Sequence, residues 1–535
     1  MQGFERADRQ LLDAAALAGH LVPAGSMFAF LAAHRAEVFP DADYADLFSP
    51  AGVGRPSLPA PQMAAVLVLQ VLHDYSDRET AEAVKSGVRW KVAIGASLDD
   101  PGFDPSWLVY WRKRLAKPAR PHRVSDAVRA VVEQTGILAG RRRRAVDSTI
   151  LADAVATQDT VTQLVSAIRR VAREVPGAAE QIAAVCTGHD YSRPGKPKID
   201  WDDPAAKDVL VSALVNDAAA LVAALADPDL AEPAASAVAL LALVAGQDVE
   251  PAEGSDGRDG RWRIARRVAE DRVISVHDPG ARHTRKSPEA RRDGYRAHVA
   301  ACPQTGIITD EKLTKASGED NSDPAVAAEF LTAGHASPGE RGPDVAGGAP
   351  GRPPLSWYAD SAYGTGDLRD TIRQAGDAAL IKPKPLAPAV EGGLTLDDFT
   401  VSEEEATVTC PDGVTRRITA RRNVTFGAAC RGCPLRARRT TSSTGRALIL
   451  HEHDDPLRAA RRDWPTLRQD YMTYRPNVER AVAQMATVRG RRIKLRYRGE
   501  TKNNAWLKRR TAALNLRNLL SKNLTRRDGA WLLAT

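Results

Sequence analysis

The chain has 535 residues, 43% of them hydrophobic, with 75 Lys+Arg against 67 Asp+Glu for a formal charge of +8. That length predicts two to four domains with sizeable cores and excludes a disulfide scaffold, because five cysteines are too few to staple it. The N-terminal stretch lacks the apolar core of a signal peptide, and the richest apolar run, Ala234 to Ala245, is too short to cross a bilayer, so a cytoplasmic, nucleoid-associated protein with no membrane partner is expected.

Residues 1–135 read as a helical N-terminal domain. Ala64 to Leu72 suit a buried helix, and Ser76 with Glu79 forms a capping-box pattern at the start of another. Gly54 to Ser57 and Asp99 to Gly102 are breaks. Trp107, Tyr110, Trp111, Arg112, Lys113 and Arg114 make a basic aromatic helix. Its two Trp at four-residue spacing suit core packing and are also candidate DNA contacts.

Arg141 to Arg144 lead into Ala145-Val146-Asp147, a predicted strand ending in an acidic residue. Residues 151–270 carry Ala, Leu and Val at helical spacing and read as a helical insertion. Tyr295–Ala301 and Gly306–Lys315 predict a β-hairpin turning at Pro303 to Gly306. Residues 335–354 are a Gly/Pro-rich loop. Ser356 to Asp360 is a second short strand ending in Asp, followed by a helix from Thr365 to Gln374 and a strand from Ala378 to Lys382. Residues 391–455 read as a β-rich insertion with three of the cysteines. The chain is helical again from Leu467, with Glu479 inside that helix. Residues 136–390 and 456–535 would then form one α/β core around a mixed sheet.

Two Asp at neighbouring strand ends, joined by a Glu from a packed helix, can hold two Mg²⁺ ions, which prefer carboxylate oxygen. Such ions activate an attacking water or 3′-hydroxyl and stabilise the leaving oxygen of a phosphodiester. Taken singly, an Asp after a strand is more often a turn former or helix cap. Basic residues crowd the C-terminal part, from Arg489 to Arg527, and favour a polyanion.

Taken together these segments resemble the bacterial insertion-sequence transposases of the DDE class. Ala145-Val146-Asp147-Ser148-Thr149 is similar to their first-Asp strand, and Tyr358-Ala359-Asp360-Ser361-Ala362-Tyr363-Gly364 to their second-Asp segment. Arg475-Pro476-Asn477-Val478-Glu479-Arg480 resembles their third motif, and Arg496-Tyr497-Arg498-Gly499 with Asn515-Leu516 the tail after it. Asp293 to His298 resembles the strand entering the hairpin, and Gly54 to Ser57 the N-terminal domain. The third motif departs at Met472 and Ala486, where relatives carry Tyr and Lys. Tyr471 or Tyr474, and Lys494 or Lys502, are the candidate substitutes.

The resemblance implies an RNase H-like core with the β-rich insertion before the last catalytic helix. It implies Asp147, Asp360 and Glu479 as catalytic, metal-holding carboxylates for Mg²⁺ or Mn²⁺. It also implies cut-and-paste movement, binding of double-stranded DNA at terminal inverted repeats and at a target, and a homodimer on paired ends. Arg475, Lys494, Arg496, Arg498 and Lys502 are the expected DNA contacts. Arg475, one turn before Glu479, reads as a phosphate clamp or as a plain i,i+4 ion pair. Cys410, Cys430 and Cys433 read as three ligands of a structural Zn²⁺ or as three buried thiols. No fourth Cys is present: Arg439 stands where relatives often have one, with His451 and His453 nearby. Other readings are a nuclease of the same fold and an inactivated or domesticated DNA-binding protein. Inverted repeats flanking the gene would separate the transposase from both.

Overall fold

The computed structural model describes residues 1–4, 12–49, 56–117, 119–226, 229–285, 291–336 and 354–534. Gly54, Arg55 and most of the expected 335–354 loop lie outside them. A run without a polar stripe buries on all sides, and Ala60–His73 does so, with Pro61 in its first turn. It packs against Glu500–Leu520 from the other end of the chain. Ser76 opens the next helix, Asp77–Ser86, with the expected capping box: Glu79 N donates to Ser76 Oγ at 3.2 Å, and Ser76 N to Glu79 Oε2 at 2.7 Å. In Ser106–Leu115, Trp111 is buried beside Tyr44 and Phe48, which makes it a core residue rather than a DNA contact. Trp107 packs half-buried against the same core.

Six strands form one mixed sheet: β1 (Arg143–Ala152), β2 (Arg282–Arg285), β3 (Arg291–Ala301), β4 (Ile308–Lys315), β5 (Ser356–Ala359) and β6 (Ala378–Ile381). The order is β2-β3-β1-β5-β6, with β4 also on β3. β3 runs antiparallel to β1, β2 and β4, while β1, β5 and β6 run parallel. The β3–β4 hairpin turns where expected, with Gly306 at φ +74°. Gly294 is needed for close approach: a Cβ there would lie 2.0 Å from the Leu151 carbonyl oxygen of β1.

One sheet face, with Ala145, Tyr295, Ala297, Val299 and Tyr358, shares a single core with the N-terminal helices and with Pro476–Ala486 and Glu500–Leu520. The other face, with Val146, Trp357 and Ala359, is covered by Asp323–Ala336 and Gly366–Gln374. Between β1 and β2, Thr160–Glu174, Ala178–Val185, Pro204–Ala224 and Ala234–Gln247 build a separate helical core. Asp159 and Asp203 cap two of these helices through their carboxylates. No helix among the described residues is long and apolar enough to cross a membrane.

Four local expectations change. β1 does not end at Asp147 but runs on to Ala152, because β3 pairs with it throughout. The expected helical insertion also holds a two-stranded hairpin, Val249–Pro251 with Trp262–Ile264. The helix expected from Leu467 starts at Asp454 and passes through Pro465, which reads as a start signal in the sequence. It ends at Tyr474, and Glu479 lies in the first turn of a new helix, Pro476–Ala486. Proline lacks the N–H that would continue the earlier helix and suits a first-turn position. Beyond Leu520 the chain forms a further hairpin, Leu524–Arg527 with Ala530–Leu533.

Candidate active site

Side chains alternate across a strand, so neighbours fix where each Asp points. Ala145 and Leu151 lie in the large core and Val146 in the opposite one, which places Asp147 and Thr149 on the large-core face. On β5, Tyr358 faces the large core and Ala359 the other, so Asp360 returns to the Tyr358 face. Ala145 pairs with Tyr358 in parallel register. Two residues further along each strand, Asp147 and Asp360 come within electrostatic reach of each other. The helix Pro476–Ala486 covers this face through Val478, Ala481 and Val482, and brings Glu479 to the same place.

Arg475, just before that helix, sits among the acids. Its Nη2 lies 3.3 Å from Asp147 Oδ2 and its Nη1 3.3 Å from Glu479 Oε1. The arginine is buried, whereas the Glu479 side chain is 63% exposed. Burial raises the Asp147 carboxyl above the usual carboxylate range. Arg475 and the Ser148 N–H, which donates to Oδ1 at 2.8 Å, oppose this, while Asp360 and Glu479 add to it. Asp360 also accepts from Ala362 N at 2.8 Å, so it caps the turn Ser361–Tyr363 as well as facing the other acids.

Of the two tyrosines left open by the sequence, Tyr471 feels Arg475 and all three carboxylates. Tyr474 instead packs under Arg143, 4.1 Å from its ring centroid. The opposite face holds a polar group the sequence reading did not single out. Ser148 Oγ donates to Asp323 Oδ1 at 2.7 Å, and the buried His298 has Nδ1 3.5 Å from that oxygen. Burial holds this imidazole neutral, its pKa pushed down to about 3. Alternation along a hairpin strand and the resemblance of Asp293 to His298 were the signals for His298, and neither tells a buried His from a ligand.

Three carboxylates offer only oxygen donors, a set that suits a hard divalent cation. Among the described residues no three His, Cys, Asp or Glu side chains are already placed to hold a metal ion. Arg475 bridges two of the three acids instead. The all-oxygen donor set suits such an ion, and the Glu479 side chain is exposed.

Residues 18–114 match the family of a transposase domain (DUF772), and residues 409–520 match a transposase DDE domain. These two matches support an insertion-sequence transposase of the DDE class. The second match includes Glu479 and the basic tail as far as residue 520, while Asp147 and Asp360 lie outside both. No curated protein and no solved structure matches the chain. The transposase is therefore a DNA-cleaving and strand-transferring enzyme of a family that uses divalent metal.

The basic tail of the transposase is less free than its sequence suggests. Arg509 and Arg510 are buried. Arg510 donates to the carbonyls of Val71 and Leu72, in the last turn of Ala60–His73, and to those of Gln484 and Thr487 at the end of Pro476–Ala486. One guanidinium thus caps two helix C-termini, where carbonyls lack partners. Acids distant in sequence pair with others: Lys508 with Glu311 at 3.2 Å, Arg526 with Glu37 at 3.4 Å, and Arg496 with Asp74 at 3.6 Å. Arg496 also donates to the Asp74 carbonyl at 2.7 Å. Lys494, Arg498 and Lys502 are exposed, and Arg475 is not.

The cysteine module of the transposase does not fit zinc. Phe399, Val408, Cys410, Val424, Phe426, Cys430, Leu448 and Leu450 form its core. Cys410, Cys430 and Cys433 are buried and free, and Arg439 is buried with them. Arg439 Nη1 donates to Cys433 Sγ at 2.7 Å, and its charge is felt by all three sulfurs. Its guanidinium also lies 5.8 Å from the ring centroids of Phe399 and Phe426. A fixed cation stands beside the sulfurs where a fourth metal ligand would be needed, and it would repel Zn²⁺.

Proposed function

We propose that this transposase binds the terminal inverted repeats of its element and cuts and rejoins DNA at Asp147, Asp360 and Glu479. The observation that carries this reading is the register of β1 and β5, which sets two Asp on one face beneath the helix bearing Glu479. A mixed sheet with helices on both faces suits an RNase H-like core, here 136–390 and 456–535, with 151–270 and 391–455 as insertions and 1–135 as the N-terminal DNA-binding unit. Mg²⁺ or Mn²⁺ held by these carboxylates would supply charge neutralisation at the scissile phosphate. The chain's own part is to converge three acids, keep Asp147 half-shielded from water, and neutralise the cluster with Arg475 while no metal is bound. Lys494, Arg498 and Lys502 are then surface cations for phosphates, and two chains act on paired ends as a homodimer.

The test is a labelled duplex carrying the element's end, scored for nicking and for gel shift. Asp147→Ala, Asp360→Ala and Glu479→Ala should each lose nicking and keep binding. Nicking by any one of them removes that residue from the site. Joint loss of binding and nicking in all three makes them structural and leaves a DNA-binding protein.

A further inference from the structure

The hairpin that follows the Glu479 helix pairs Thr487–Val488 with Arg491–Arg492 across Arg489 and Gly490, both at positive φ (50° and 77°). Such a two-residue turn favours Asn or Gly. An arginine is sterically disfavoured there. The hairpin is tied to the strand of Asp147. Arg492 Nη2 donates to the Ile150 carbonyl at 2.8 Å and to Thr149 Oγ1 at 3.3 Å, and Leu495 N donates to the Ala152 carbonyl at 2.8 Å. Thr149 lies on the same face as Asp147, two residues or about 7 Å along the strand. That is roughly two nucleotides of a DNA strand at about 3.4 Å of axis each.

The charge around the hairpin has little to balance it. Among the described residues neither Arg489, Arg491 nor Arg492 forms an ion pair. Burial and then Arg292, on β3, lower the basicity of Arg492. Beside them is a cleft of about 410 Å³, lined by His73, Asp74, Val488 and the three hairpin arginines. Its imidazole, His73, is pushed down to about 4 by burial and then by Arg89, Arg489 and Arg510. Its one acid, Asp74, already pairs with Arg496. A concentration of like charge opposes folding and is relieved by a polyanion.

We propose that the Arg489–Arg492 hairpin is a phosphate-binding ledge. It seats the DNA backbone beside the scissile phosphate, within about two nucleotides of the carboxylates, and reads no bases. This rests on the carboxylate site proposed above.

The test uses the full chain and a short labelled duplex of arbitrary sequence, with affinity followed against salt. Arg489→Ala/Arg491→Ala keeps the Arg492 anchor and should make the log–log salt slope shallower by about 1–2. Adding Arg492→Ala should bring the change to about 2–3, with affinity down at least about tenfold at moderate salt. Arg258→Ala, an exposed arginine in the helical insertion, should leave the slope unchanged. Melting curves verify that each variant folds. An unchanged slope in the folded double variant overturns the proposal. The carboxylate reading is scored separately, on the labelled duplex carrying the element's end: Asp147→Ala should keep the wild-type salt slope and lose nicking. If it nicks DNA, the carboxylate reading falls and the ledge loses its role beside it.

Discussion

Arg475 Nη2 lies 3.3 Å from Asp147 Oδ2, so a residue at the break between two C-terminal helices neutralises an acid in the middle of the first strand. Because Arg475 is buried, it is expected to position carboxylates and not to touch phosphate. Arg475→Ala should leave the salt slope of DNA binding unchanged, lower cleavage at least about tenfold, and cost about 1–3 kcal/mol of stability from the unpaired acid. A slope shallower by about one would show a phosphate clamp instead.

Removal of Asp147, Asp360 or Glu479 should each lower nicking by at least about a hundredfold, since metal-assisted charge stabilisation amounts to several kcal/mol and each 1.36 kcal/mol is about tenfold. Wild-type nicking should need Mg²⁺ or Mn²⁺. Ca²⁺, with looser coordination, should support binding and little cutting. The measurement is single-turnover nicking over a series of ions.

The cysteine module should fold without metal. Purified protein should hold no stoichiometric zinc, and a chelator should leave its melting curve unchanged. Arg439→Cys should complete a four-cysteine set and take up one zinc per chain, read by metal analysis and by Co²⁺ absorption. Stoichiometric zinc in the wild type, on Cys410, Cys430 and Cys433, would show that Arg439 does not fill the fourth position.

Asp153 is buried at the end of β1, and burial, then Asp278 and Asp293, push its carboxyl up to about 6. A raised folded pKa means that the folded chain holds the proton more tightly than the unfolded one. This group's contribution is therefore present below about pH 4 and is lost as pH rises to about 6. The loss is up to roughly 3 kcal/mol. Asp153→Asn should raise the melting temperature at neutral pH by a few degrees and change it little at pH 4. An equal effect at both would exclude titration as the cause.

The sequence by itself determined the local elements: the all-round buried helix at Ala64 to Leu72, the Ser76 capping box, the β3–β4 hairpin and the short strand before Asp360. Each follows from periodicity, caps and turn residues within a few positions. It also carried the motif order from which Asp147, Asp360 and Glu479 were singled out. Only the tertiary structure decided where β1 ends, because that depends on the antiparallel partner β3, which follows more than a hundred residues later. It likewise decided the fate of the arginines. Arg475, Arg439, Arg510 and Arg492 look alike in sequence. One bridges two acids, one lies among thiols, one caps two helices and one holds a basic hairpin to the strand of Asp147. A guanidinium has five donors and no preference written in its neighbours along the chain. What it binds is set by which carbonyls, sulfurs or carboxylates the fold brings within reach.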